Sequence, residues 1–367
     1  MKIYCEKNEL MNAISTVSKA VPVRTTMPIL ECILIEAAGG RIVLTANDTE
    51  LGIQTTVRGN VEEKGMTAIN ASVFSGIVRK LPDDMVEITA AGEKVTIRCG
   101  KAKFEIGGMN GREFTRLPDI EKNDGINVTE FTLRDLITKT IFSISDNDSN
   151  KLMTGELMEI RDNVLRLVSL DGHRISIRKV PLSGSYNDRR LVIPGKTLGE
   201  IAKILGGDME KQVSIFFTDK QVLFEFDETI VVSRLIDGEY FRIEQMLSSD
   251  YETHITINRR ELLDCIDRAT LLIKEGDKKP IILSATDGNL EIRISTTIGS
   301  MDENIETSME GREITIGFNP KFLIDALRAI DDEEVDVYFM NPKAPCFIRN
   351  VEESYNYVVL PVNFTTV

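Results

Sequence analysis

Three stretches of this chain carry the same folding pattern. They start at Met1-Lys2-Ile3, at Glu130-Phe131-Thr132 and at His254-Ile255-Thr256, and each reads as a short strand passing directly into an amphipathic helix. Leu10, Leu136 and Leu262 fall at equal intervals along the chain. Apolar residues follow each at helical spacing: Leu10, Ile14, Val17; Leu136, Ile137, Ile141; Leu262, Leu263, Ile266. A second helix repeats on nearly the same interval, over 71–81, 194–205 and 319–330. A β-type run precedes each copy (Thr67-Ala68-Ile69, Leu191-Val192-Ile193, Ile314-Thr315-Ile316). An acidic or glycine-rich turn follows each: Pro82-Asp83-Asp84, Gly206-Gly207-Asp208 and Asp331-Asp332-Glu333-Glu334. Strand meanders punctuated by turns come next, as in Met85–Thr89, Val213–Phe217 and Val335–Phe339.

The pattern predicts an α+β chain: a unit of roughly 125 residues, two helices packed on antiparallel sheet, present three times. Polar segments near Asp119–Asn127 and Leu247–Thr253 read as linkers. Tandem copies of a globular unit extend a surface or build an arc. Two such chains meeting head to tail close into a ring of six units if the rotation allows. A rigid three-domain scaffold that never closes satisfies the same repeats.

Charge sets a second constraint. Asp and Glu number 58 against 44 Lys and Arg, a net charge of −14. Taken alone this opposes nucleic-acid binding, which is driven by cations that displace counterions from phosphates. It is compatible with such binding only if basic residues are segregated onto one surface. Five scattered cysteines with no C-x-x-C pair predict buried thiols rather than disulfides or zinc, and two histidines are too few for a His-rich metal site. No apolar run reaches membrane-spanning length and the N-terminus meets charge at once, so a cytosolic protein is expected.

Short motifs occur in a specific order. They are Arg24-Thr25-Thr26-Met27-Pro28-Ile29-Leu30, Leu44-Thr45-Ala46-Asn47-Asp48-Thr49-Glu50-Leu51, Asp171-Gly172-His173-Arg174, Leu191-Val192-Ile193-Pro194, Leu235-Ile236-Asp237-Gly238, Ile316-Gly317-Phe318-Asn319 and Tyr357-Val358-Val359-Leu360-Pro361-Val362. Together, on a triplicated chain, they resemble the bacterial DNA polymerase III beta subunit, the sliding-clamp family. The resemblance implies three tandem clamp domains (1–122, 127–247, 252–367) and a head-to-tail homodimeric ring around duplex DNA, with helices lining the pore. It implies a DNA sliding clamp, a non-catalytic processivity factor that needs no cofactor or metal. Expected partners are sequence-independent duplex DNA, a clamp loader, the DNA polymerase III alpha subunit and other polymerases, mismatch repair proteins and ligase. The expected place is the cytoplasm, at the nucleoid.

The resemblance also names residues. A groove for short peptides with apolar and aromatic anchors would use Met153, Leu170, Gly172, His173, Arg174, Ile175, Phe241, Gln245, Met246, Asn319, Phe322, Pro345, Val358, Leu360, Pro361 and Val362. The resemblance sets Arg24, Asn147 and Lys196 at or near DNA-contacting positions, and the sequence itself offers Arg79, Lys80 and Lys203, with Arg134, Lys139, Arg259, Arg260, Arg268 and Arg328, as basic candidates for DNA on the helices. The ring interface would set Phe104 and Ile106 against Leu272 and Ile273. Phe241, Gln245 and the extra Thr365-Thr366-Val367 depart from the family pattern. An enzyme is the rival reading, but no glycine-rich phosphate loop, nucleophile elbow or metal-ligand pair is present, and Asp331–Glu334 reads as a charged turn.

Overall fold

The computed structural model describes residues 1–147, 149–274, 276–277 and 279–364, so Thr365, Thr366 and Val367 lie outside the described residues. It contains six α-helices among them: α1 (Lys7–Val17), α2 (Ala71–Lys80), α3 (Glu130–Thr138), α4 (Gly195–Ile204), α5 (Arg259–Thr270) and α6 (Pro320–Arg328). The second repeat begins earlier than its sequence pattern suggests. Glu130 opens α3, and the strand before it is Ile126–Thr129, which overlaps the end of the stretch expected to be linker. Ile141 lies beyond α3 in a 3-10 turn.

The helices form on apolar stripes, and three of them start at an asparagine that caps the first turn. α1 buries Leu10, Ala13, Ile14 and Val17. Asn70 caps α2, Asn258 caps α5 through the Arg260 and Glu261 amides, and Asn319 with Pro320 starts α6. The acidic turns after the second helices have a structural task. Their carbonyls accept the first amides of the first helices: Lys7 to Asp84 at 3.2 Å, Phe131 to Asp208 at 3.0 Å and Arg259 to Glu333 at 2.9 Å. One latch, used three times, satisfies helix N-termini that have no intrahelical partner and places negative charge at the positive end of the helix. This accounts for the acidic run at 331–334 without any catalytic role.

The strands belong to two compact units. Unit one comprises Met1–Leu133 and Glu200–Leu235; unit two comprises Arg134–Gly199 and the chain from Ile236 onward. All strand pairings are antiparallel among the described residues, and each repeat divides its strands between two sheets. In unit one, Thr229–Arg234 pairs with Leu51–Val57, joining second-repeat strands to first-repeat strands in one eight-stranded sheet. A five-stranded sheet completes the unit and ends on the open strand Ala102–Gly107. In unit two, Arg174–Pro181 pairs with Tyr355–Val359, giving a nine-stranded sheet that spans the second and third repeats. A four-stranded sheet runs Ser300–Glu306, Asn289–Ser295, Ile281–Thr286, Ile314–Phe318. One face of the nine-stranded sheet packs under α5 and α6 through Ile255, Ile257, Val337, Ile348 and Tyr357. The opposite face carries Leu157, Val168, Leu170, Ile175, Phe347 and Val358. All five cysteines are buried and unpaired.

One buried carboxyl breaks the apolar pattern. Glu156 accepts from the Thr140 hydroxyl at 3.0 Å, and its other oxygen has no hydrogen-bond partner among the described residues. Burial without a cation pushes the group from 4.5 up to about 8, opposed weakly by the Thr140 bond. A carboxyl raised in the folded state takes up a proton on folding. Stability therefore falls as pH rises from about 4.5 to about 8 and then levels off. Glu156→Gln keeps the acceptor for Thr140 and removes the titration. In urea unfolding the variant should match the parent near pH 4.5 and exceed it by several kcal/mol, in order of magnitude, at about pH 9.

Candidate peptide groove and DNA-facing residues

The groove begins at a turn. Gly172 sits at φ +88°, which a side chain would strain, between the strands Val164–Leu170 and Arg174–Pro181. Asp171 Oδ1 accepts from the His173 and Arg174 amides at 2.9 and 3.1 Å, closing the turn with its own side chain. The Arg174 guanidinium, 7% exposed, is held from every side. It donates to Asp171 at 3.0 Å, to Asp325 of α6 at 2.6 Å and to the Phe142 carbonyl. It also lies 4.6 Å from the Phe322 ring centre and 5.5 Å from that of Phe142. The His173 ring stacks on the other partner of this arrangement, Phe322, at 6.0 Å. Each guanidinium nitrogen of Arg174 is thus hydrogen-bonded within the protein, and the residue forms part of the cavity floor.

The segment 240–249 crosses the sheet face as a wall. The Tyr240 hydroxyl donates to the Val168 carbonyl at 3.3 Å, and the Tyr240 ring meets Phe241 edge-on at 5.5 Å. Arginines on the sheet hold this wall. Arg190 donates to the Phe241 carbonyl at 3.1 Å, and Arg166 binds Glu244 at 2.7 Å while pairing with Glu159 at 2.5 Å. The Arg166 hydrogen bond holds the Glu244 carboxyl below its ordinary value. Arg349 lies over Tyr338 at 4.6 Å and donates to the Ser248 and Ser249 carbonyls, both at 3.3 Å. On the opposite side, the Leu360 amide donates to the His173 carbonyl at 2.8 Å.

Between these walls lies an apolar cavity of about 490 Å³. It is lined by Met153, Leu170, Gly172, His173, Arg174, Ile175, Phe241, Gln245, Met246, Pro345, Val358 and Leu360. Four other positions named from the resemblance stand off this lining. Asn319 caps α6, Phe322 backs Arg174 and His173, and Pro361 and Val362 follow Leu360 along the tail. Sequence reading missed Phe142, Asp325, Tyr240, Arg166, Arg190 and Arg349, because no local pattern marks a residue that acts through a partner far along the chain.

Comparison with known proteins decides the family. Residues 1–118 match the DNA polymerase III beta subunit N-terminal domain, 127–241 its central domain and 244–363 its C-terminal domain. The beta sliding clamp of Bacillus subtilis is 35% identical over 380 aligned residues, covering 99% of each chain. That of Staphylococcus aureus is 31% identical over 374, again covering 99% of each. Among solved structures, a protein of Eubacterium rectale assigned as a DNA polymerase III beta subunit is 58% identical, with a TM-score of 0.97 and 100% of both chains covered. The Bacillus subtilis sliding clamp superposes with a TM-score of 0.96 at 34% identity, also covering 100% of both chains. The chain belongs to the DNA polymerase III beta subunit family.

For a beta-subunit chain, the expected DNA-facing residues fall into two groups. Arg24, Arg79, Lys80, Asn147, Lys196 and Lys203 are all exposed. Arg24 lies in the loop before Met27, Arg79 and Lys80 in the last turn of α2, and Lys196 and Lys203 on α4. Lys203 pairs with Glu200 at 2.8 Å. Other helix cations are committed elsewhere. Lys139 pairs with Asp135 at 2.6 Å and with Asp331, Arg259 donates to the Asp332 and Leu327 carbonyls, and Arg268 holds Glu303 through two nitrogens. These three are bound to groups within the chain, which the sequence pattern did not show.

The interface candidates are less uniform. Phe104 is 37% exposed on the open strand Ala102–Gly107, with Ile106 half-buried beside it. Leu272 and Ile273 pack against the core of unit two, whereas their neighbour Leu271 is 80% exposed.

Replacing Arg174 should disturb the groove floor most. Arg174→Met leaves Asp171 and Asp325 without their shared cation, and urea denaturation should show a loss of about 3 kcal/mol. Arg174→Lys should recover little, since one ammonium cannot span two carboxylates, a carbonyl and a ring face.

Proposed function

We propose that this chain is a sliding clamp: a non-catalytic processivity factor that closes as a head-to-tail homodimer around duplex DNA and tethers the replicative polymerase. The observation that carries this reading is the match of all three beta-subunit domains, in order, along one chain. The three clamp domains are taken as 1–122, 127–247 and 252–367. Processivity without sequence preference calls for weak contacts and no escape. A closed ring removes dissociation by topology, so a few exposed cations such as Arg24, Arg79, Lys80, Lys196 and Lys203, with Asn147, are enough. The net charge of −14 then belongs to the surfaces that DNA does not touch.

The apolar cavity in unit two is the peptide site for the polymerase alpha subunit, other polymerases, mismatch repair proteins and ligase. Burial of a few apolar and aromatic anchors supplies affinity there, and Met153 and Met246 allow the walls to adapt. A clamp loader opens the ring. The open edge at Phe104 and Ile106 meets Leu272 and Ile273 of the second copy. No described helix is long and apolar enough to cross a membrane, and the proposed place of action is the cytoplasm, at the nucleoid.

Topology supplies the decisive experiment. Clamps assembled on nicked circular duplex should stay bound through gel filtration and be released within one passage once the circle is linearised. Equal retention on both forms would reject encirclement. For the interface, Leu272→Ala with Ile273→Lys should halve the mass measured by light scattering, and an unchanged dimer mass would reject the assignment.

A further inference from the structure

The chain leaves the nine-stranded sheet at Val359 and immediately engages a second sheet. The Leu360 amide bonds the His173 carbonyl, and two residues later the Val362 amide donates to the Gly317 carbonyl at 2.8 Å. Gly317 lies in Ile314–Phe318, the outermost strand of the four-stranded sheet, opposite Ile282. The tail therefore stitches the two sheets of unit two together, and the stitch passes through Leu360, a wall of the groove.

Gly317 is unusual for a strand interior, where glycine loses side-chain packing and backbone entropy. It does not adopt a left-handed conformation, so backbone freedom does not account for it. Space does. A Cβ at position 317 would stand 2.6 Å from Phe364 Cδ1 and 2.9 Å from the Val362 carbonyl oxygen. The half-buried Phe364 ring occupies the place of the missing side chain, while Val362 and Asn363 between the two anchor points are exposed. Without the ring, the end of the chain would keep a single backbone bond beyond Leu360 and would fray.

We propose that Phe364 seated on Gly317 is a latch that fixes the Leu360 wall of the groove before a peptide arrives, making Phe364 and Gly317 positioning residues for peptide binding. This rests on the reading of the cavity as the peptide site. A latched wall is ordered in advance; an unlatched wall has to be ordered by the peptide, at the expense of affinity.

The test uses the full-length protein and a fluorescein-labelled synthetic hexapeptide carrying one leucine and one phenylalanine as apolar anchors, read by fluorescence anisotropy. Phe364→Ala empties the socket and Gly317→Val fills it. Each should raise Kd about tenfold, the factor expected when one or two side chains must be immobilised during binding. The dimer mass and the unfolding midpoint of Phe364→Ala should be unchanged. Phe364→Leu should restore Kd to within about twofold. Amide exchange at Val362 should accelerate in Phe364→Ala and not in Phe364→Leu. Leu360→Asp separates the two readings. If it abolishes binding while Phe364→Ala leaves Kd unchanged, the groove stands and the latch is wrong. If Leu360→Asp also leaves Kd unchanged, groove and latch fall together.

Discussion

A repeat of this chain cannot satisfy its own strand edges. Each copy divides its strands between two sheets, and the strand that ends each central meander still presents a row of amides and carbonyls. Thr229–Arg234 meets that demand on Leu51–Val57, and Arg174–Pro181 meets it on Tyr355–Val359. The buried hydroxyls of Thr55 and Thr229, 2.9 Å apart, mark the first of these seams. Backbone pairing across repeats is the interaction from which the rest of the molecule follows. It makes neighbouring repeats parts of one sheet rather than beads on a string.

The groove is a consequence of the second seam. Ile175 and Val358 face each other across it, and Leu360 extends it. The first seam is treated differently. There Leu117 presses on the backbone at Gly52, where a Cβ would stand 2.0 Å from its Cδ2, and Ile120 packs on Leu223 and Val232. The chain thus fills one seam with its own side chains. At the other, residues 240–249 form a wall beside the seam and leave an apolar cavity over it. The difference between filled core and open cavity is whether a covering segment lies on the seam or next to it.

The charged groups around the groove follow the same logic. Arg174 supports the floor with each of its three guanidinium nitrogens hydrogen-bonded, and Arg166, Arg190 and Arg349 fasten the wall through a carboxylate and three carbonyls. Their task is rigidity. The cavity itself is left apolar, as the proposed reading of it as a peptide site requires. Lys139 and Arg268 are likewise paired with carboxylates of the same chain.

Much of this was legible in the amino-acid sequence alone. Helical spacing at Leu10, Leu136 and Leu262, the acidic or glycine-rich turns after the second helices, and the turn-punctuated meanders are local properties, and local properties repeat visibly when a unit is triplicated. The ordered motifs carried the family. What the sequence could not specify was every contact between distant positions: the division of strands between sheets, the pairing of Arg174 with Asp325, the use of Asp84, Asp208 and Glu333 as helix latches, and the seat of Phe364 on Gly317. Periodicity records which face of an element is apolar. Only tertiary structure decides what covers that face, because burial and hydrogen bonding are settled by whichever partner the completed chain brings within reach.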